Sequence, residues 1–197
     1  TIDEGIALRA SVGAAPKIYI LNGLMSLGAE KDFAAFGLTP VLNTLGDIHS
    51  WGQHCKDYGG HAIVSIDTGM QRLGLSASEA RSLADTPASL DGISVDFVMS
   101  HLSCADNPAH PKNSEQRILF EELRTLLPAA PASLANSAGI FLGPSFHYDL
   151  CRPGAALYGV SKSTGAPVDL NQVVGLKGKI LQTRFVDSES AVGYGAS

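Results

Sequence analysis

Short apolar runs alternate with amphipathic stretches over the first 160 residues of the chain. The clearest run, 61–66, is apolar at nearly every position, which is typical of a strand buried on both faces. The pattern predicts five further strands, at 17–21, 39–43, 95–99, 133–136 and 155–160. These runs therefore predict a series of strand–helix units.

Helices are predicted between the strands. Thr1 with Glu4, and Ser76 with Glu79, have the spacing of a capping box, in which each side chain bonds the other residue's backbone. These boxes predict helices that run to about Arg9 and Ala84. The remaining helical patterns span 29–36, 44–58 and 113–127.

Repeated strand–helix units of this length predict an α/β fold with a parallel sheet and helices outside it. We expect a (β/α)8 TIM-type barrel whose first two strands precede Thr1, because a complete barrel needs roughly 250 residues. The alternative is an open doubly wound sheet. Its first turn would usually carry a GxGxxG motif, which this chain does not contain.

The pattern changes after Ser161. Residues 1–162 are assigned to the partial barrel, 163–173 to a linker, and 174–197 to the start of a truncated C-terminal β domain, because 174–186 alternates as a strand does. The chain opens on a helix cap without Met and stops without a closing element. We therefore expect an internal segment of a longer protein.

Composition narrows the function classes. The 197 residues are 45% apolar with a net charge of −5, which fits a packed globular core and argues against nucleic acid or an anionic membrane surface as partner. The uncharged stretch 125–148 is interrupted by three prolines, so it does not predict a membrane span. Cys55, Cys104 and Cys151 are far apart, which predicts neither a disulfide framework nor a metal site and fits the cytoplasm.

Candidate functional residues follow four successive predicted strands, where active sites of parallel barrels lie. They are Arg72, His101, the pair Asn136 and Ser137, and Arg152. Each has an ordinary interpretation, as a surface Arg, a core His, a helix N-cap or a strand-end Arg. Their succession at strand ends favours a site.

The residue types suit a phosphorylated aromatic ligand. Pro153 and Gly154 form a turn whose backbone could approach an anion closely, and Ser137 could bind the same phosphate. Arg152 and Arg72 could reach polar atoms of an aromatic ring. A pyridoxal phosphate pocket on a barrel would need such groups.

Five motifs carry a family resemblance. They are Asp-Thr-Gly-Met-Gln-Arg-Leu-Gly at 67–74, Ser-His at 100–101, Leu-Ala-Asn-Ser-Ala at 134–138, Arg-Pro-Gly-Ala-Ala-Leu-Tyr-Gly at 152–159 and Val-Gly-Tyr-Gly at 192–195. In order and spacing the chain closely resembles the pyridoxal-phosphate-dependent alanine racemases. The resemblance implies an N-terminal barrel, a C-terminal β domain and a head-to-tail homodimer that shares its active sites.

The resemblance also implies roles for single residues. Arg152 would hydrogen-bond the pyridine nitrogen of the cofactor, and His101 would hold Arg152 in place. Arg72 would approach the phenolic oxygen of the cofactor and the carboxylate of the substrate. The phosphate would be bound by Ser137, beside Asn136, with the backbone of Gly154 and Ala155.

The implied reaction interconverts L- and D-alanine with two bases, a Lys and a Tyr, and supplies D-alanine for cell-wall synthesis. Tyr194 would be one base, acting in the partner subunit's site. The Schiff-base Lys is expected before Thr1, so we expect this segment alone to be inactive. Many relatives carry a carbamylated Lys that positions the Arg, and Ser65 occupies that place here.

Other functions stay open at this point. One is an amino-acid racemase of broad specificity. Another is a pyridoxal-phosphate-binding homeostasis protein, which would share the barrel but lack the β domain. A pure interaction module is a more distant alternative, since it would not need Arg and His side chains at strand ends.

Overall fold

The computed structural model describes residues 1–26, 28–56, 58–161, 169–191 and 194. Its strands are β1 (Ile18–Ile20), β2 (Leu38–Leu42), β3 (Gly60–Ser65), β4 (Ile93–Met99) and β5 (Ala132–Ser133). They form one parallel sheet in the order β1-β2-β3-β4-β5. Each strand lies beside the next one in sequence, as in a (β/α)8 barrel, whereas a doubly wound sheet reverses its order. The predicted fold class is confirmed.

The helices lie where the pattern predicts them. They are α1 (Ile2–Val12), α2 (Glu30–Ala35), α3 (Leu45–Cys55), α4 (Ala77–Asp85), α5 (Lys112–Arg124) and α6 (Ser137–Ile140). Both predicted capping boxes form, at Thr1 with Glu4 and at Ser76 with Glu79. No helix in the described ranges is long and apolar enough to cross a membrane.

The two faces of the sheet have different cores. Leu42, Val64 and Val98 point outward and pack in the large core beneath the helices. Val41, Ile63 and Met99, one residue away in each strand, point inward into a small cluster with Tyr19 and Phe97. This alternation is the two-residue period of a strand, and it explains why the strands read as continuous apolar runs.

One predicted strand, 155–160, is wrong. Residues Ala155–Tyr158 form a 3₁₀ helix instead, and Gly159 ends it with a φ of 75°. The backbone N–H groups of Gly154 and Ala156 donate to the Ser137 hydroxyl, so they are not available to a strand ladder. The contact with the sheet occurs earlier, where Arg152 forms a parallel bridge with Asn136.

The predicted strand at 174–186 does not form in the described part of the chain. Residues 169–191 contain no hydrogen-bonded strand, and Leu176, Ile180 and Phe185 are exposed. A strand needs a neighbour that accepts and donates its backbone hydrogen bonds, and none of the described residues provides one. The linker lies mostly outside the described residues, so the C-terminal β domain stays a prediction.

Candidate active site

The predicted site residues meet at the carboxyl ends of the strands. Two adjoining cavities lie there, and Met70, His101 and Arg152 line both. The large cavity has a volume of about 460 Å³ and also contains Asn136, Ser137, Gly154 and Ala155. The small cavity, of about 70 Å³, contains Arg72. The site therefore brings together every predicted cofactor-binding residue.

Arg152 lies at the centre of the site and is held by residues at the ends of two strands, β4 and β5. Its Nη2 donates to the Ser100 carbonyl at 2.6 Å and to the Leu134 carbonyl at 3.3 Å, and its Nη1 donates to Ser133 Oγ. Burial lowers the pKa of the guanidinium to about 10, so it stays a cation at neutral pH. Its Nε–H donates to no described residue, which leaves a donor for a ligand.

His101 is neutral in this site. Burial, followed by the positive charges of Arg152 and Arg72, lowers the pKa of the imidazole to about 4. Its Nδ1 lies 3.4 Å from Arg152 Nη2, and its Nε2 lies 3.3 Å from Asn136 Nδ2. Because both neighbours are N–H groups, a doubly protonated ring would place donor against donor.

Asn136 and Ser137 form the far end of the large cavity. Asn136 caps α6, because its Oδ1 accepts from the Gly139 N–H at 2.9 Å. The Ser137 Oγ accepts from the N–H groups of Gly154 at 2.8 Å and Ala156 at 3.3 Å. With both lone pairs used, the hydroxyl proton of Ser137 is free to donate to a ligand. The Ala155 N–H also has no acceptor among the described residues.

The loop after β3 carries Arg72 and is shaped by Asp67. The Asp67 Oδ1 accepts from three successive N–H groups, those of Gly69, Met70 and Gln71, at 2.8, 2.9 and 3.1 Å. Gly74 closes the loop with a φ of 108°, and a Cβ there would lie 2.8 Å from the backbone of Ile66 and Asp67. Arg72 is exposed and makes no hydrogen bond or ion pair with a described residue.

A small side chain, Ser65, occupies the position where the sequence resemblance implies a carbamylated Lys in many relatives. Ser65 is buried and lines the small cavity with Arg72 and Asn43. Asn43 donates its Nδ2 to the carbonyls of Leu21 and Val41, both at 3.1 Å. Its buried Oδ1 has no partner among the described residues. In the described part of the chain, no side chain holds Arg72 as that Lys would.

The sequence did not reveal four polar residues that support the site residues through hydrogen bonds. Ser100 and Ser133 contact Arg152, while Thr68 and Gln116 form a buried group beside His101. Gln116 had one detectable signal, because it lies on the buried face of α5 with Phe120 and Leu123. A polar residue at such a position needs buried partners.

Tyr194 lies away from both cavities. The described residue is fully exposed and lines neither cavity. Its predicted role in the partner's site stays a prediction.

Comparisons with known proteins agree with this geometry. The family model described as alanine racemase, N-terminal domain, matches residues 1–162. The chain is 50% identical over 196 residues to a catabolic alanine racemase of Mesorhizobium japonicum, covering 98% of this chain and 51% of that protein. It is 43% identical over 198 residues to an alanine racemase of Rhodospirillum rubrum, covering 100% of this chain and 53% of that protein.

A solved structure has the same arrangement. Alanine racemase of Bartonella henselae, with covalently bound pyridoxal phosphate, aligns with a TM-score of 0.90 and 37% identity over 100% of this chain and 55% of that one. The chain spans about half the length of the curated relatives it matches. The strand order, the site at the strand ends and these matches together show that the chain belongs to the alanine racemase family.

Proposed function

We propose that this chain forms the pyridoxal phosphate site of an enzyme that interconverts L- and D-alanine. The observation that carries the proposal is a single cavity lined by both the partly buried cation of Arg152 and the hydroxyl of Ser137. The Arg152 Nε–H suits an aromatic ring nitrogen, and the Ser137 hydroxyl suits a phosphate. Apolar side chains of Leu102, Ala138 and Phe141 also line the cavity, which suits a planar ring.

Arg152 would bind the pyridine nitrogen through its unpaired Nε–H. Since the guanidinium is a cation and only a donor, the ring nitrogen it contacts stays unprotonated. Bound there, pyridoxal phosphate would supply a ring that withdraws electrons from Cα of the substrate. The contacts of Arg152 with Ser100, Ser133 and Leu134 fix the direction from which it meets the ring.

The phosphate would lie beside the 3₁₀ turn that begins at Ala155. Ser137 O–H and the Ala155 N–H supply two donors, and the hydrogen bond from Gly154 N–H to Ser137 Oγ keeps them together. Asn136 supports this end by capping α6. Backbone N–H groups of a turn can form an anion-binding concavity, so these donors could bind a phosphate without a Lys or Arg.

His101 and Arg72 would act beside the ring. Neutral His101 presents an imidazole nitrogen to the Nη2 group of Arg152 and so supports its orientation. Arg72, which lines the small cavity, would bind the phenolic oxygen of the cofactor and the carboxylate of alanine. Both anionic groups suit a guanidinium fork.

Tyr194 would move a proton in the site of a partner subunit. Racemisation requires removal of a proton from one face of Cα and delivery to the other, so two bases on opposite faces are needed. Because Tyr194 is exposed and lines neither cavity of its own chain, we propose a homodimer in which it completes the partner's site. In this proposal the second base is a Lys, and none of the Lys residues of this sequence stands in the motif that the resemblance implies for it.

The physiological direction is part of the proposal. One relative is named a catabolic alanine racemase and another an alanine racemase without that qualifier. We propose that the protein acts in the cytoplasm and supplies D-alanine for the cell wall. Loss of the gene should then make growth depend on added D-alanine, whereas a catabolic enzyme would be needed only for growth on alanine as a nutrient.

The activity is tested with the longest natural chain that contains these residues. We would add pyridoxal phosphate and follow the loss of optical activity of L-alanine, with L-serine and L-lysine in parallel. Racemisation mainly of alanine is expected. Equal rates with all three would indicate a broad-specificity racemase, and bound cofactor without racemisation would indicate a homeostasis protein.

A further inference from the structure

Gln116 is a fully buried polar side chain that the proposed chemistry does not use. It reaches inward from α5, and its amide makes four hydrogen bonds. Its Nε2 donates to Thr68 Oγ1 at 3.2 Å and to the His101 carbonyl at 2.9 Å. Its Oε1 accepts from the backbone N–H and the hydroxyl of Ser103, both at 2.9 Å.

These four bonds use the whole capacity of the amide, two hydrogens and two lone pairs. The orientation of the group is therefore fixed, since a flipped amide would place its oxygen against the His101 carbonyl. Thr68 belongs to the loop after β3, which also carries Arg72. His101 and Ser103 belong to the loop after β4. One side chain of the outer helical layer thus joins the two loops that face the ring.

The connection continues to Arg152. Thr68 Oγ1 lies 2.8 Å from Ser100 Oγ, and both residues are almost completely buried. The carbonyl of Ser100 accepts from Arg152 Nη2 at 2.6 Å. Any shift of Thr68 or of the His101 backbone would therefore change where Arg152 and His101 meet a ligand. Buried networks of this kind hold a group rigidly only while every member is satisfied.

We propose that Gln116 is a positioning residue for the cofactor site. It sets the distance between the loop that carries Arg72 and the loop that carries His101, before any ligand binds. The inference rests on the proposed function, because its consequence is tighter binding of pyridoxal phosphate. Preorganised groups bind better, since less freedom is lost on binding.

The test compares Gln116→Met with Phe120→Leu in the longest natural chain. Met has a similar volume but makes none of the four bonds. Phe120 is the next buried position on the same face of α5, where it packs edge-to-face on Tyr148 and its apolar side chain makes no hydrogen bond to either loop. Its shortening should lower stability without changing the site. Gln116→Glu keeps the acceptor for Ser103 but removes the donors to Thr68 and to the His101 carbonyl.

The first readout needs no cofactor. Amide hydrogen exchange of the unliganded protein should become faster in both 67–74 and 100–106 in Gln116→Met, and in neither loop in Phe120→Leu at matched stability. Faster exchange in both loops of the Phe120 variant would overturn the proposal, because a general loss of core packing would then explain it. Unchanged exchange in Gln116→Met would also overturn it.

The second readout is the affinity of the apoprotein for pyridoxal phosphate, followed by absorbance. Gln116→Met should raise Kd by roughly tenfold, Gln116→Glu by at least as much, because a buried carboxylate oxygen would face the His101 carbonyl, and Phe120→Leu by less than about twofold. Equal Kd values for Gln116→Met and wild type would contradict the proposal. If wild type binds no pyridoxal phosphate, the proposed function fails, and hydrogen exchange alone decides the role of Gln116.

Discussion

At the scale of single residues, burial acts differently on the two nitrogen groups at the centre of the site. Arg152 remains charged even though burial lowers its pKa to about 10. His101 loses its charge, because burial and the neighbouring cations lower its pKa to about 4. One fixed cation and one neutral ring therefore face the cavity at neutral pH, and only the cation changes the protonation of a ligand.

Arg152→Ala should weaken pyridoxal phosphate binding on the order of a hundredfold, because a charge-assisted hydrogen bond left unmade costs about 1.5–3 kcal/mol. Three polar groups of the protein would also lose a donor. Arg184→Ala is the control, since Arg184 is exposed and, among the described residues, it hydrogen-bonds only to Gln182, at 3.4 Å. Cofactor titration and turnover check both variants. Equal turnover in the two would remove the basis of the assignment.

The lowered pKa of His101 predicts a pH dependence of stability. The folded-state pKa lies below the ordinary value of 6.5, so folding favours the neutral ring. Its contribution is complete above about pH 6.5 and is lost progressively as the pH falls toward 4. Urea unfolding between pH 7 and pH 4.5 should show a smaller loss in His101→Asn than in wild type. The same slope in both would show that His101 does not titrate as described.

At the scale of elements, a β-bulge between β3 and β4 lets one carboxylate of β4 bind residues at β1 and β3, away from the site. The register between β3 and β4 shifts after Ala62, so that Asp96 has no direct partner in β3. Its carboxylate accepts from Tyr19 at 2.9 Å and Lys17 at 3.0 Å, and it lies 2.7 Å from His61 Nδ1. A bulge commonly redirects one side chain in this way.

Asp96→Asn should destabilise the fold by about 1–3 kcal/mol. The carboxylate of Asp96 is bonded by Lys17, Tyr19 and His61, and a neutral amide with one acceptor oxygen cannot replace it. Burial alone would raise the pKa of Asp96, but hydrogen bonds from Lys17, His61 and Tyr19 outweigh it and lower the pKa. Its contribution is therefore present above the ordinary carboxyl pKa and is lost as the pH falls through the lowered one. Urea unfolding at pH 7 and below measures this.

The exposed Asp91, at the end of the 3₁₀ helix that precedes β4, provides the matched control for Asp96. Asp91→Asn should leave the free energy of unfolding within about 0.5 kcal/mol of wild type, as most surface substitutions do. Equal effects of the two substitutions would mean that the three partners of Asp96 contribute nothing to stability.

At the scale of the whole molecule, the cavity and the proposed base lie in different places. Arg152 faces the large cavity, while Tyr194 is exposed. A head-to-tail homodimer would bring Tyr194 of one chain to the cavity of the other. In such a shared site, two different inactive subunits can together form one intact site, which a site within one subunit does not allow.

Mixing two inactive variants tests this arrangement. Arg152→Ala and Tyr194→Phe dimers should each be inactive, yet a refolded mixture should regain about a quarter of the wild-type activity, because about half of the dimers are mixed and each has one intact site. Tyr194→Phe alone should still bind pyridoxal phosphate. Absence of any recovery, with mixed dimers verified by mass, would place Tyr194 in its own subunit's site.

Much of the site could be predicted because its residues follow strands directly. Strand ends of a parallel sheet meet at one edge, so His101, Asn136 and Arg152 had to be neighbours once the fold was known. The strand predicted at 155–160 failed because the Ser137 hydroxyl takes two backbone N–H groups that a ladder would need. The apolar residues of 155–160 do not reveal that a distant hydroxyl accepts from the backbone of this segment.

The sequence by itself determined the five strands of the sheet with the helices between them, two capping boxes and the family, since these depend on local spacing and on motifs. Only the tertiary structure decided which groups hold the site. Arg152 bonds Ser100 and Ser133, which lie 52 and 19 residues away, and Gln116 reaches Thr68 across 48 residues. Such bonds depend on how strands and helices pack, because hydrogen bonding acts over a few ångströms in space and carries no periodic signal along the chain.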